Sequence, residues 1–113
     1  MEEGQISDIV LMPGDPFRVQ LIADRLDDAV EVAHKREYRT VTAFYKGRKT
    51  TACSSGLGCP STAIGVEEPA RAGGKVFIRV DTTAAPHPHI AVADLPSSAA
   101  ATRPDRTPAR NLP

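Results

Sequence analysis

Cysteine is scarce in this 113-residue chain, and its two cysteines, Cys53 and Cys59, fit neither a zinc ribbon nor a Cys-x-x-Cys redox pair. We therefore expect both to be ordinary reduced thiols. His87 and His89 have a spacing that can place two imidazoles near one metal ion, but no clear third ligand accompanies them. The sequence thus predicts no bound metal.

Excess charge and long apolar runs are also missing. The 14 basic and 14 acidic residues balance, which gives no reason to expect attraction to nucleic acid or to a membrane surface. No run approaches the length of a transmembrane helix, and the acidic first residues lack the apolar segment of a signal peptide. We expect a cytoplasmic protein that binds neither nucleic acid nor membranes.

What is present is an alternation of short apolar runs with helical patterns, which predicts an α/β fold. Gly47 marks a tight hairpin between two strands. Pro69 lies inside the second predicted helix, where it removes a hydrogen bond and indicates a kink or a later start. Strands are predicted near residues 8–12, 29–35, 40–46, 48–53 and 75–81, and helices near 16–26 and 61–72.

The composition changes abruptly after Leu95. Residues 1–95 are predicted to form one small domain. Residues 96–113 contain four prolines and one large aliphatic residue, a composition that cannot bury enough apolar surface to offset ordering, and we interpret them as a disordered tail rich in Pro, Ala, Ser and Arg. Two origins are compatible with this pattern: an ordinary flexible tail, or the end of a truncated or frame-shifted gene.

The most informative segment is the ten residues from Ile9 to Arg18. Four apolar residues predict a buried strand, Gly14 permits a close backbone approach, and Asp15 is a good helix cap. Unpaired amides at the helix start, the helix dipole and the Arg18 guanidinium together favour bound phosphate. The alternative is a capped helix after a strand that binds nothing, which occurs in any α/β protein.

A second strand, near residues 75–81, supports the phosphate interpretation. Ligands of open α/β sheets bind outside the carboxyl ends of strands, so Arg79, Thr82 and Thr83 are expected to lie beside Gly14 and Arg18. One further arginine and two hydroxyls would then complete a cage for an oxyanion.

These motifs, in uninterrupted order over residues 8–95, resemble the hexameric nucleoside phosphorylases, and the uridine phosphorylase branch is the most similar. The resemblance implies the N-terminal part of a three-layer α/β/α fold with a mixed central sheet. The segments that carry it are Met-Pro-Gly-Asp-Pro-x-Arg at 12–18, Arg-Glu-Tyr at 36–38, Ser-Gly-Leu-Gly-x-Pro-Ser at 55–61, Val-Glu-Glu at 66–68, Ile-Arg-Val-x-Thr-Thr at 78–83, Pro-His-Ile at 88–90 and Asp94.

The resemblance also implies an activity, the phosphate-dependent cleavage of a nucleoside to free base and ribose 1-phosphate in nucleoside salvage. Inorganic phosphate is the co-substrate, no metal or organic cofactor is implied, and members of the family are homo-oligomers. By resemblance, Gly14, Arg18, Arg79 and Thr82 bind phosphate, Arg36 reaches the phosphate of a neighbouring subunit and Thr83 contacts the nucleoside. No catalytic residue is assigned.

Three departures from the family pattern qualify the activity. Asp81 and Ala84 stand where the family usually has glycine, and a carboxylate at 81 would repel phosphate unless a neighbouring arginine neutralised it. Family members are about twice as long as this chain, and their Gln-x-Arg and Met-Glu-x-Glu segments for base and ribose are missing. We also expect an exposed strand edge and apolar face, and hence marginal solubility or association.

Three functions remain compatible with the sequence. The chain is a uridine-type phosphorylase that a partner chain completes, or it is a non-catalytic fragment that binds phosphate or associates with phosphorylase subunits. A nucleosidase that uses water is disfavoured, because Arg18, Arg36 and Arg79 have little use in hydrolysis.

Overall fold

The computed structural model describes residues 1–85 and 87–102. The chain divides into a compact unit, Met1–Asp81, and a second unit that begins at Thr82. The regular elements are β1 (Ile9–Met12), α1 (Pro16–Ala23), β2 (Asp27–Lys35), β3 (Tyr38–Tyr45), β4 (Arg48–Cys53), α2 (Cys59–Arg71) and β5 (Val76–Arg79).

The five strands form one mixed sheet in the order β2-β3-β4-β1-β5. The first three in this order pair in antiparallel fashion, whereas β1 runs parallel to both of its neighbours, with Val10 opposite Thr51 on one side and Phe77 on the other. The predicted α/β class with a mixed sheet is therefore confirmed. Since parallel strands end on the same side, the loops after β1, β4 and β5 meet at one edge of the sheet.

Both hairpins of the sheet are tight. Lys46 and Gly47, with φ of 48° and 78°, join β3 to β4, which confirms the predicted turn and explains its glycine. The turn between β2 and β3 contains Arg36 in the same left-handed region, at φ 55°.

The helices differ from the predictions mainly at their ends. Asp15 caps α1 by accepting a hydrogen bond from the Phe17 amide at 2.9 Å, as expected, but the helix ends at Ala23 and not near 26. Helix α2 begins at Cys59, two residues earlier than predicted, because Pro60 fits the first helical turn. The helix also continues past Pro69 to Arg71, with the proline ring buried.

The two helices cover opposite faces of the sheet. One core cluster joins Val19 and Ala23 of α1 to Val41 and Ala52, and another joins the β1 and α2 side, including Cys53. Ala52 and Cys53 are consecutive in β4, so their side chains point to opposite faces. The compact unit therefore has a helix, a sheet and a helix in layers, as the resemblance implies.

The described part of the second unit, residues 82–85 and 87–102, contains no helix or strand. Residues 103–113 of the predicted tail lie outside the described residues, so the disorder of that tail and the boundary at residue 95 stay predictions. Among the described residues, no helix has the length and apolar character needed to cross a membrane.

Candidate anion-binding site

Three loops meet at the edge where β1, β4 and β5 end. The amide of Ser55 donates to the Pro13 carbonyl at 3.0 Å, and the amide of Gly56 donates to the Gly14 carbonyl at 2.9 Å. On the other side, the Val80 amide donates to the β1 residue Met12 at 3.2 Å. Backbone pairing thus continues past the strands and fixes the position of the Gly14 turn.

Two arginines converge on one carboxylate at this turn. Arg18, in the first turn of α1, donates from Nη1 to Oδ1 of Asp81, and Arg79, at the end of β5, donates from Nη2 to Oδ2 at 2.7 Å. The Asp81 side chain is 25% exposed, so solvent reaches the group. We call Gly14, Arg18 and Arg79 the anion cage.

Gly14 forms the floor of the anion cage. A Cβ atom placed there would lie 2.8 Å from Oδ2 of Asp81 and 3.2 Å from Nη2 of Arg79. The first distance is too short for a Cβ atom, so the carboxylate lies against the Gly14 backbone and a larger residue at position 14 would displace it.

Ser55 holds the second arginine in position. Nη1 of Arg79 donates to the Ser55 Oγ at 2.6 Å, and Ser55 is fully buried. Sequence reasoning did not single out this residue. The available signal was its place just after β4, since β4 and β5 are both parallel to β1 and end at the same edge.

The amides at the start of α1 are not the anion ligands that the sequence predicted. The Phe17 amide donates to the Asp15 side chain, and the Arg18 amide donates to the Asp15 carbonyl at 3.1 Å. Pro16 has no amide hydrogen. The cap therefore uses the donors of the first turn, and the Asp81 carboxylate meets the two guanidinium groups.

Arg36 lies in the turn between β2 and β3. Among the described residues, no hydrogen bond or ion pair joins its side chain to Arg18, Arg79 or Asp81. The neighbouring Glu37 packs against the loop after β4, because a Cβ on Gly56 would lie 2.6 Å from the Glu37 Cγ. The role of Arg36 toward a neighbouring subunit stays a prediction.

Thr82 and Thr83 begin the second unit. Both are exposed, and the Thr83 hydroxyl donates to the carbonyl of Ala84 at 3.1 Å. Their predicted contacts with phosphate and nucleoside stay predictions.

A cleft of about 520 Å³ opens beside α1, within the compact unit. Its lining includes Pro13, Arg18, Leu21, Tyr45 and Val80. Arg18 borders both the cleft and the anion cage, and the cleft is within the size range of small-molecule sites.

Cys53, at the end of β4, is a buried thiol. Burial raises the pKa of the Cys53 thiol, a hydrogen bond with Thr40 opposes this shift, and the charge of Glu68 adds to it. The His87 and His89 rings stack with their centroids 5.4 Å apart. Within residues 1–85 and 87–102, no group of three or more histidine, cysteine or acidic side chains is arranged to hold a metal.

Comparison with known proteins places this geometry in a family. Over 110 residues the chain is 44% identical to a guanosine phosphorylase of Halorubrum lacusprofundi, covering 97% of this chain and 46% of that protein. A uridine phosphorylase of Thermococcus kodakarensis is 48% identical over 100 residues, covering 88% of this chain and 36% of that protein. The chain thus spans less than half the length of these relatives.

Structure comparison agrees with the sequence comparison. The uridine phosphorylase of Vibrio fischeri superposes with a TM-score of 0.71 and 40% identity, over 73% of this chain and 34% of that one. The profile of the phosphorylase superfamily matches residues 8–107, which include all the residues of the anion cage. The resemblance seen in the sequence motifs is therefore confirmed, and the chain belongs to the phosphorylase superfamily.

Proposed function

We propose that this chain supplies the phosphate-binding part of a nucleoside phosphorylase, which transfers a pentosyl group from a base to inorganic phosphate. The observation that supports this proposal is the convergence of Arg18 and Arg79 on the two oxygens of one carboxylate beside Gly14. A site that holds two carboxylate oxygens between two guanidinium groups suits two oxygens of a phosphate equally well.

The charge at this site also favours an anion. Arg18 and Arg79 bring two positive charges to one point, and Arg79 is held there by Ser55 independently of any anion. Each guanidinium is a planar group of five N–H donors with no acceptor, which suits the oxygens of an anion. The arrangement is therefore ready for a group that carries more than one negative charge.

In the proposed reaction, phosphate attacks the anomeric carbon of the nucleoside. The base departs as the bond from that carbon to the base breaks, and the products are free base and pentose 1-phosphate. The anion cage contributes by fixing the phosphate oxygens in position, which removes much of the entropic barrier to a reaction between two molecules. Phosphate is the nucleophile, so the proposal needs no metal or organic cofactor.

By resemblance to the family, we propose that Thr82 binds phosphate and that Thr83 contacts the nucleoside. We propose a uridine-type substrate, because a Thr-Thr pair at these positions resembles the uridine branch, whereas many purine-cleaving relatives have Ser-Cys. Arg36 is proposed to reach the phosphate of a neighbouring subunit in a homo-oligomer. The proposed setting is cytoplasmic nucleoside salvage.

The second candidate function is non-catalytic, with the chain binding phosphate or associating with phosphorylase subunits. The observation that favours association is the edge strand β5, where Val76 and Ile78 are 51% and 47% exposed. Exposed apolar side chains on a sheet edge promote pairing with another chain. A subunit-associating chain would bind phosphate and release no base.

Two measurements on the purified full chain test these proposals. Uridine and guanosine cleavage, followed by absorbance with and without inorganic phosphate, tests the enzyme directly. Phosphate-dependent release of uracil supports the first candidate, and phosphate binding without turnover supports the second.

Phosphate binding, measured by calorimetry, tests the anion cage itself. We expect Arg79→Ala to abolish phosphate binding, because it removes one guanidinium and the contact with Ser55. The matched control is Arg71→Ala, which removes an 82% exposed arginine paired with Glu67 at the end of α2. Equal phosphate affinity of the two variants would contradict the cage.

A further inference from the structure

We propose that Asp81 is an internal anion of this chain, so that phosphate enters the anion cage only after the Asp81 carboxylate has left it. This inference rests on the proposed phosphate site. It assigns to Asp81 a role that a glycine at the same position cannot have.

The first support is the geometry of the carboxylate. Its two oxygens are divided between the two arginines, with Oδ1 on Arg18 and Oδ2 on Arg79. Oδ2 also lies against the Gly14 backbone, at the point where any Cβ would collide with it. The carboxylate thus contacts all three residues of the anion cage: the Gly14 backbone and the guanidinium groups of Arg18 and Arg79.

The second support is electrostatic. Arg18 and Arg79 carry two positive charges, and the Asp81 carboxylate neutralises one of them when it is ionised. A phosphate that entered beside the carboxylate would meet a like charge within hydrogen-bonding distance, which strongly disfavours both anions together. Phosphate and the Asp81 carboxylate therefore compete for the same donors.

The third support is that the end of β5 has contacts that do not involve Asp81. Nη1 of Arg79 donates to the Ser55 Oγ at 2.6 Å, and the Val80 amide donates to the Met12 carbonyl at 3.2 Å. The end of β5 is therefore fixed by contacts that do not involve the carboxylate. We infer that the Asp81 carboxylate leaves the cage by side-chain rotation while these contacts keep the end of β5 in place.

The affinity for phosphate then depends on the fraction of molecules in which the Asp81 carboxylate is outside the cage. When a binding-competent state is only partly populated, the apparent dissociation constant rises in inverse proportion to that population. A cage that is closed by Asp81 nine times in ten weakens phosphate binding about tenfold. The chain is thus expected to respond only to high phosphate concentrations.

The test is calorimetric titration of the full chain with inorganic phosphate at constant ionic strength. Asp81→Gly is expected to lower the dissociation constant for phosphate at least about tenfold. Asp81→Asn keeps the size of the side chain and removes its charge, and it is expected to lower the constant by a smaller factor. Because Asn is nearly isosteric with Asp, this variant tests the inference even where glycine impairs folding.

Two controls separate charge from position. Asp28→Asn removes the same charge on β2, at the opposite edge of the sheet from β5, and asparagine suits the left-handed backbone of that residue, at φ 49°. It should leave phosphate affinity unchanged. Adding Arg79→Gln to Asp81→Gly should abolish the gain.

The outcomes distinguish this inference from the proposed function. If wild type and both Asp81 variants bind phosphate equally, and Arg79→Gln abolishes that binding, the phosphate site stands and the internal anion is refuted. If no folded variant binds phosphate, the phosphate site itself is refuted, and the inference fails with it. Tighter binding by Asp81→Asn but not by Asp28→Asn supports both.

Discussion

The Arg79 guanidinium and the Ser55 hydroxyl are 2.6 Å apart, and their hydrogen bond joins the end of β5 to the loop after β4. Ser55 is fully buried, so one partner of this bond is fixed by the interior of the protein. The other partner is half exposed, with 48% of the Arg79 side chain accessible. The buried Ser55 hydroxyl therefore fixes the orientation of the long, half-exposed Arg79 side chain.

Loss of the Ser55 hydroxyl should weaken anion binding more than it weakens the fold. In the Asp81→Gly background, we expect Ser55→Ala to raise the dissociation constant for phosphate by about three- to tenfold, because one hydrogen bond to a charged group is lost. Calorimetric titration with phosphate measures this change. An unchanged constant would show that Arg79 needs no support from Ser55.

Loss of the adjacent Ser54 hydroxyl should weaken the fold more than it weakens anion binding. Ser54 donates to the Glu37 carbonyl at 2.6 Å and accepts from the Arg39 amide at 2.8 Å, so it ties the loop after β4 to β3. Ser54→Ala leaves a partly buried amide and carbonyl with one partner fewer and should lower the free energy of unfolding by about 1–3 kcal/mol. Chemical denaturation of Ser54→Ala and Ser55→Ala measures the contrast, and a larger loss for Ser55→Ala would contradict it.

Gly56 should tolerate substitution less well than Gly47, although both have positive φ, of 71° and 78°. A Cβ on Gly56 would lie 2.6 Å from both the Glu37 Cγ and the Ser61 Oγ, whereas Gly47 has no atom within 4 Å of that position. Gly47→Ala should therefore lower the free energy of unfolding by only about 1–2 kcal/mol, because alanine disfavours the left-handed backbone conformation. Gly56→Ala should cost more, and thermal unfolding of the two variants compares them directly.

Stability should fall at alkaline pH because of Cys53. Burial raises the pKa of this thiol above its ordinary value of 9.0. Below pH 9 the thiol is neutral in the folded and the unfolded chain, but above it the unfolded chain releases the proton more readily, so unfolding becomes easier as pH rises. Denaturation at increasing pH measures this slope.

The control is Cys53→Ala. This variant should show a smaller fall in the free energy of unfolding with rising pH, and a lower free energy of unfolding at every pH. A thiol reagent gives an independent check, because Cys59 is exposed and Cys53 is buried. In the folded protein the reagent should modify Cys59 first, and equal rates at the two thiols would contradict the burial of Cys53.

Local sequence signals predicted much of the site. Gly14, Asp15 and Arg18 stand where the chain must turn, cap a helix and present a guanidinium, and each requirement is met by a residue type with that intrinsic preference. Arg79 was predicted from the edge at which parallel strands end. These inferences need only the order and type of the elements.

Other features could not be read from local signals. The amides at the start of α1 can donate either to the Asp15 side chain or to a ligand. Which of these occurs depends on the side-chain conformation of Asp15, which the fold selects. Asp81 was predicted to repel phosphate unless an arginine neutralised it, but its position within the cage depends on two partners, Arg18 and Arg79, that are distant in sequence. Ser55 gave no signal by itself, because serine after a strand is common.

The pairing of Ile9 with Val76 is a contact between distant parts of the sequence, and the anion cage depends on it because Arg18 follows β1 and Arg79 ends β5. The first strand of the chain finds its outer neighbour only after the hairpins and both helices have been synthesised, and such distant pairings form slowly. We therefore expect Arg18 and Arg79 to come together late in folding, when β5 pairs with β1. The protection of β1 and β5 amides against hydrogen exchange should then rise in the same step.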